Sequence, residues 1–166
     1  MKSYQPRGNI IDADCVIGHS FGTSIDPGSV NEQLARQMLR HADGLPMIAD
    51  RTLVNALPEI EPQMSHIVEG PVTNINAQGV GTWGTLVEAR QHMESLGLSS
   101  PAMVAQAWHI GRVVKQAARL EIDSIVPEGL PKDFDPNSDQ IWTRSVYLWV
   151  PFNALGSLLL KARGQL

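Results

Sequence analysis

Five short apolar segments alternate with helical patterns along this chain, and that alternation restricts the fold more than any other feature. The segments cover residues 11–18, 45–49, 65–69, 102–107 and 122–126. Parallel strands need long crossovers, which are usually helices, whereas antiparallel hairpins need only short turns. The pattern therefore predicts one domain over residues 1–166, with a three-layer α/β/α arrangement and a mostly parallel five-stranded sheet.

Local end signals mark the predicted helices. These are expected over residues 30–42, 51–57, 82–96 and 109–120, with a C-terminal helix that starts at residue 139. Ser29 and Glu32 form the pattern of a capping box at the start of the first helix. Asp50 is placed to cap the second helix, and Gly97 is the typical residue to end the third.

Composition and charge limit the classes of protein to consider. The chain has 166 residues, of which 43% are hydrophobic and 18% charged, as is usual for globular proteins. A net charge of -4 and a pI near 5.7 argue against a nucleic-acid-binding face. Cys15 is the only cysteine and lies in an apolar run, which excludes an intrachain disulfide and indicates a buried side chain. The N-terminal residues lack a signal-peptide pattern, so we expect a cytoplasmic protein.

Residues 146–160 carry no charge. This segment is shorter than the roughly 20 apolar residues that a membrane-spanning helix requires. It is also interrupted by Pro151 and Asn153. We expect no transmembrane segment and a helix packed on the domain, with a homodimer or membrane-surface contact as alternatives for its apolar side.

The loop after the first predicted strand reads Gly-His-Ser-Phe-Gly-Thr-Ser over residues 18–24. Glycines and hydroxyl groups are suited to binding an anion, so its candidate ligand residues are Gly18, His19, Ser20 and Gly22. The spacing matches neither a dinucleotide fingerprint nor a P-loop. It does fit G-x-S-x-G, in which Ser20 would be a nucleophile, although Pro27 delays the following helix. An anion-binding loop, a nucleophile and a plain connection all remain open.

His109 and Arg112 follow the fourth predicted strand. Open parallel sheets bind their ligands at this end of the strands. A histidine there can act as an acid or a base, and an arginine can hold a carboxylate or phosphate through two hydrogen bonds. The alternative is a capping histidine beside a solvated arginine.

Acidic side chains also occupy expected strand ends. Asp50 follows the second strand, Glu69 follows the third, and Glu88 lies two turns into the helix that Thr82 opens. Together with His19 or His109 such acids could hold a divalent cation. No tight metal-ligand spacing is present, so we expect no metal site.

Residues 82–112 resemble the YdcF/SanA/ElyC-like family. The family pattern is a Thr and an acid that open a helix, then an apolar strand, then Val-Thr-Ser-x-Tyr-His-x-x-Arg. This chain has Thr82 and then Val-Ala-Gln-Ala-Trp-His-Ile-Gly-Arg over residues 104–112. Residues 67–69 resemble the family's acid-bearing strand. Gly84 stands where the family acid usually lies, and Glu88 on the same helical face could replace it.

The resemblance implies a Rossmann-like domain. Family members are linked to bacterial envelope and polysaccharide metabolism, and one was associated with S-adenosylmethionine binding. We therefore expect an enzyme that acts on a small phosphate-bearing or nucleotide-like ligand. His109 and Arg112 would stabilise phosphate charge, the loop of residues 18–24 would donate backbone N–H groups, and Glu69 would be the base or a hydroxyl-binding acid. The alternative, which Gly84 favours, is a non-catalytic module that binds a nucleotide or S-adenosylmethionine.

Overall fold

A computed structural model describes residues 5–23, 29–69 and 81–166 of the chain. Its sheet has four strands: β1 (Cys15–Gly18), β2 (Met47–Asp50), β3 (Met64–Val68) and β4 (Pro101–Val104). The spatial order is β3-β2-β1-β4, and every neighbouring pair is parallel. These strands confirm the expected α/β fold with a parallel sheet.

Helices connect the strands. They are α1 (Val30–Ala42), α2 (Arg51–Ala56), α3 (Thr82–Leu96), α4 (Ile110–Arg119) and α5 (Val146–Ala162), with short 3-10 helices at Ile10–Asp12, Pro58–Gln63 and Ile141–Thr143. The Ser29 hydroxyl accepts from the Glu32 N–H at 3.2 Å, which confirms the predicted cap of α1. The predicted start of the last helix at residue 139 is wrong. Asp135 and Ser138 accept backbone N–H groups two residues ahead, and such local bonds compete with a helix.

The prediction of a fifth strand over residues 122–126 is also wrong. Ile125 makes an isolated parallel bridge to Ala102, and Val126 makes an isolated antiparallel bridge to Arg7. The start of the segment is bound to the end of α4 instead, because the Ile122 N–H donates to the Ala117 carbonyl at 3.0 Å, so only residues 125 and 126 pair before Pro127. The described sheet therefore ends at β4, with residues 125–126 only touching its edge.

Both faces of the sheet are covered. Ile17 of β1 and Met103 of β4 pack with α3 and α4 on one face. Val16 of β1 packs with α1 on the other face, in a cluster that also contains Trp149 of α5. Alternate residues of a strand point to opposite faces, so a four-residue strand buried at every position requires three layers. The three-layer prediction is confirmed for this part of the chain.

Helix α5 is attached by one side and leaves the other side apolar and open. Trp149 is only 2% exposed, whereas Tyr147 is 87% exposed. We use the name α5 stripe for the exposed residues Tyr147, Leu155, Leu158 and Leu159. None of the helices in the described ranges has both the length and the apolar character needed to cross a bilayer.

Gly18 ends β1 where α1 and α2 come close to the strand. A Cβ atom there would lie 2.1 Å from the Met38 sulfur and 2.8 Å from a Leu53 methyl group. We predict that Gly18→Ala lowers the free energy of unfolding by about 1–3 kcal/mol through overpacking, as measured by urea denaturation. Gly156→Ala in α5 is the matched control, because the nearest atom outside its own helix would be Arg112 Nη1 at 3.8 Å, so this variant should keep or raise the free energy of unfolding. A Gly18→Ala protein as stable as the parent would contradict this packing.

Candidate functional site

The carboxyl ends of β1 and β4 form the position where the sheet changes its direction of growth. The chain adds β2 and β3 on one side of β1 and then returns to place β4 on the other side. Open α/β sheets bind ligands in the crevice at such a switch point. The His19 N–H donates to the Val104 carbonyl at 2.9 Å, so the loop after β1 starts beside the loop after β4.

His109 lies at this edge, immediately before α4, and is only 3% exposed. Its ring contacts Phe21 at 6.1 Å and meets Trp149 edge-on at 5.6 Å between centroids. Both ring nitrogens have polar partners: Nε2 is 3.2 Å from Thr82 Oγ1, and Nδ1 is 3.1 Å from Arg112 Nη2. Thr82, His109 and Arg112 are thus joined in one chain of hydrogen bonds, although Thr82 and Arg112 are 30 positions apart in the sequence.

The partners of His109 determine its tautomer. A guanidinium only donates, so Nδ1 must accept from Arg112, and the ring proton on Nε2 must be donated to the Thr82 hydroxyl oxygen. Burial, with the nearby charges of Arg112 and His19, lowers the pKa of His109 well below its ordinary value. His109 is consequently neutral and has no free lone pair in this arrangement. A role as base requires Arg112 to release Nδ1, and the sequence-based assignment of catalysis to His109 stays a prediction.

Arg112 is a cation held against apolar surroundings. Its guanidinium carbon lies 5.2 Å from the centre of the Trp149 ring, and its Nε is buried without a hydrogen-bond partner among the described residues. Burial lowers the pKa of Arg112 to about 10, so it remains charged at neutral pH. In the described ranges no carboxylate forms an ion pair with it. Arg112 is thus a partly buried charge without a counter-ion among the described residues, and such a charge costs free energy.

His19 is a second neutral ring at the same edge. It is 2% exposed, and its Nε2 is buried with no hydrogen-bond partner in the described part of the chain. Burial and the positive charge of Arg112 lower the pKa of His19 to about 3. The site therefore combines one cation with two imidazoles that do not protonate at neutral pH.

The loop after β1 is held by hydrogen bonds within the protein. The Ser20 N–H donates to Asp50 at 2.8 Å, and the Phe21 N–H donates to Asn31 at 2.8 Å. Asp50 also caps α2 by accepting from the Leu53 N–H, and burial raises the pKa of Asp50. With the His19 N–H bound as well, the three N–H groups of residues 19–21 already have acceptors. An anion at this edge would therefore be bound mainly by side chains rather than by these groups.

The glycines of this loop are explained by packing. Gly18 makes room for Met38, as described above, and Gly22 adopts a positive φ of 81°. A Cβ on Gly22 would lie 2.4 Å from the Ser138 hydroxyl. Helix α1 begins only at Val30, so Ser20 lacks the sharp strand-to-helix turn of a nucleophile elbow. Its hydroxyl is buried and makes no hydrogen bond to a described residue. Direct ligand contacts by Gly18, Ser20 and Gly22 stay predictions.

Two of the predicted acids have partners of their own. Arg51 donates to Glu69 through several close contacts and to Glu61 at 2.7 Å, and it lowers the pKa of Glu69. Glu88 lies 2.8 Å from His66 Nε2. The candidate site thus consists of the loop of residues 18–23 with His109 and Arg112. Glu69 forms an ion pair with Arg51 instead. Among the described residues, no three His, Cys, Asp or Glu side chains are arranged to hold a metal ion.

The sequence interpretation missed the contribution of α5. Trp149 contacts His109 and Arg112, and its indole N–H donates to the Trp108 carbonyl at 3.3 Å. The available signal was the pairing of Trp149 with Asn153, four residues apart, inside an uncharged segment. That spacing places both on one helical face, and both are buried.

Comparisons with family models, with curated proteins and with solved structures find no match to this chain.

The depressed pKa of His19 predicts a dependence of stability on pH. The unfolded chain protonates this ring near pH 6.5, whereas the folded protein does so near pH 3. Protons therefore favour unfolding in this window, and the free energy of unfolding falls as the pH is lowered from 7 to 5. We predict that His19→Gln reduces this fall by about 2 kcal/mol, as measured by urea denaturation at both pH values.

His92→Gln serves as the control for this measurement. The His92 ring is partly exposed and hydrogen-bonds to Ser65 at 2.7 Å on the surface between β3 and α3. Its removal is expected to change the fall far less than removal of His19. If the free energy of unfolding falls equally between pH 7 and 5 in the parent and in His19→Gln, then His19 is accessible to protons in the folded protein.

Proposed function

We propose that this protein binds the anionic group of a small phosphate-bearing or nucleotide-like molecule between the carboxyl ends of β1 and β4. The supporting observation is Arg112, a partly buried cation that contacts an imidazole and an aromatic ring and forms no ion pair with a described carboxylate. Guanidinium groups bind phosphate and carboxylate oxygens through paired hydrogen bonds. Nε, which has no partner among the described residues, supplies one of the donors.

The neighbouring residues have separate roles in this proposal. His109 holds Arg112 through Nδ1 and orients the Thr82 hydroxyl, whose hydrogen is then free to donate to the ligand. His19 offers its buried Nε2 to a polar ligand atom. Because both imidazoles are neutral, the positive charge is concentrated on Arg112.

The catalytic form of the proposal is transfer or hydrolysis of the phosphate-bearing group. In a site that excludes water, each hydrogen-bond donor directed at developing negative charge lowers the activation free energy by on the order of 3–4 kcal/mol. The alternative is a non-catalytic module that binds a nucleotide or S-adenosylmethionine. Three observations favour that alternative: both His109 nitrogens are occupied, Glu69 is bound by Arg51, and Gly84 replaces the acid of the resembling family.

The proposal also includes a Rossmann-like fold and divergent membership of the YdcF/SanA/ElyC-like family. The strand order β3-β2-β1-β4 supports the first part, because Rossmann sheets contain the same succession. The proposal also includes a cytoplasmic location, in which the free thiol of Cys15 would remain reduced.

The α5 stripe supports an additional contact. Leu155, Leu158 and Leu159 are three and four residues apart, which places them on one side of α5, and exposed apolar surface of this kind commonly marks a binding surface. We infer that a second copy of the chain or a membrane surface covers Tyr147, Leu155, Leu158 and Leu159.

Arg112→Gln is expected to weaken phosphate binding about 30-fold or more, because it removes a charge-assisted pair of hydrogen bonds. Its free energy of unfolding without ligand should stay within about 1 kcal/mol of the parent, since an enclosed charge is lost. Calorimetric titration with inorganic phosphate, ADP and S-adenosylmethionine measures the first quantity, and urea denaturation measures the second.

The control for Arg112→Gln is Arg90→Gln, which removes one positive charge from a surface ion pair with Glu94 on α3. It should bind like the parent. Hydrolysis of p-nitrophenyl phosphate that His109→Ala abolishes would establish the enzyme, and ligand binding without turnover would establish the module. Parent protein that neither binds nor turns over any of these compounds would refute the proposal.

The double variant Leu155→Glu, Leu158→Glu tests the α5 stripe. The parent is expected to sediment as a dimer or to associate with anionic vesicles, and the variant should do neither. Leu96→Glu is the control, because Leu96 is an exposed leucine at the end of α3. A monomeric parent that ignores vesicles would show that nothing of either kind covers the stripe.

A further inference from the structure

A groove between α4 and α5 continues from Arg112 away from the sheet edge. It has a volume of about 970 Å³. Its described lining includes Arg112, Lys115 and Arg119 from α4, and Asn153, Ser157 and Lys161 from α5. Such a volume is within the range of small-molecule sites.

The spacing of these residues places them in two facing rows. Arg112, Lys115 and Arg119 are three and four residues apart, which puts them on one side of α4. Asn153, Ser157 and Lys161 are four residues apart and lie along one side of α5 in the same way. With a rise of 1.5 Å per residue, the α4 row extends over roughly 10 Å.

The charged side chains that line this groove all have one sign. Four of its described lining residues carry cationic side chains, and no Asp or Glu is among the lining residues named for it. Lys115 and Lys161 are exposed and form no ion pair with a described residue. Arg119 donates to the main-chain oxygen of Leu166, which also lines the groove, at 3.0 Å. The whole chain has a net charge of -4, so this concentration of positive charge does not follow from its composition.

Asn153 provides an independent indication of a ligand. Its side chain is 5% exposed and lines the groove, and its Oδ1 is buried without a partner in the described part of the chain. Buried polar atoms are nearly always hydrogen-bonded in folded proteins. Arg112 Nε, at the inner end of the groove, is in the same condition.

We propose that the ligand is a phosphate chain, bound with its first phosphate at Arg112 and the following phosphates between Lys115 and Lys161. This inference rests on the proposed function, because it uses the same anion site at Arg112. It adds the substrate class: a molecule with two or three linked phosphates, whether inorganic or attached to a nucleoside. A single phosphate would leave the outer cations without a partner.

Calorimetric titrations with phosphate, pyrophosphate, tripolyphosphate and ATP test the inference. Affinity of the parent should rise at least about 10-fold from phosphate to tripolyphosphate, and the rise should shrink as salt screens the charges. The double variant Lys115→Gln, Lys161→Gln should bind single phosphate like the parent and lose most of that rise. Lys132→Gln, which removes an exposed lysine outside the groove lining, should keep it. ATP binding as tight as tripolyphosphate identifies the nucleoside-linked source, and weaker ATP binding identifies the inorganic one; both support the proposal.

The outcomes separate this inference from the proposed function. Equal affinity for phosphate and tripolyphosphate would overturn the phosphate-chain ligand and leave the anion site at Arg112 intact. A third result is that Arg112→Gln loses all binding while Lys115→Gln, Lys161→Gln keeps the full increase in affinity from phosphate to tripolyphosphate. That result would overturn the role of the groove and leave the anion site at Arg112 intact. Absence of any phosphate binding by the parent would overturn both. A single-stranded oligonucleotide that binds more tightly than tripolyphosphate through the same lysines would overturn the small-molecule class.

Discussion

The parallel pairing of β1 with β4 is the interaction on which the rest of the molecule depends. It places β1 at an inner position of the sheet, with β2 on its other side, and covers both of its faces with helices. The same pairing brings the loop after β1 beside the loop after β4, through the bond from the His19 N–H to Val104. Without it, His19 and Arg112 would belong to separate parts of the surface.

In the proposed function, Arg112 lowers the stability of the protein in return for binding an anion. A guanidinium enclosed by Trp149 and His109 has fewer favourable contacts than one paired with a carboxylate. The same enclosure strengthens its attraction for an arriving anion, because the surrounding dielectric is low. The two neutral histidines add donors or acceptors without adding charge, and their depressed pKa values keep them neutral at physiological pH.

Much of the layer architecture could be predicted from the sequence, because it depends on local patterns. The cap formed by Ser29 and the left-handed residue Gly97 gave the bounds of α1 and the end of α3. The absence of the fifth strand could not be predicted. The apolar residues 122–126 do not reveal whether their backbone groups find partners in a neighbouring strand. Only the tertiary structure shows that Ile122 bonds back to Ala117 of α4 and that pairing is limited to residues 125 and 126.

The positions of some candidate residues could be predicted for the same reason, whereas their roles stay predictions. His109 and Arg112 follow a strand end directly, so their position at the sheet edge follows from the order of elements. Glu69 also follows a strand end, yet a nearby arginine engages it, and the sequence did not predict that ion pair. Trp149 reaches the site from a distant helix, and no local pattern predicts such a contact.

The indole of Trp149 belongs to two structures at once. It fills the core beside α1, and it also forms the aromatic surface against which Arg112 rests. A shift of α5 would therefore alter the surroundings of Arg112, and a change at Arg112 would alter how α5 packs against the domain. A substitution at Trp149 would accordingly change the core and the surroundings of the cation together.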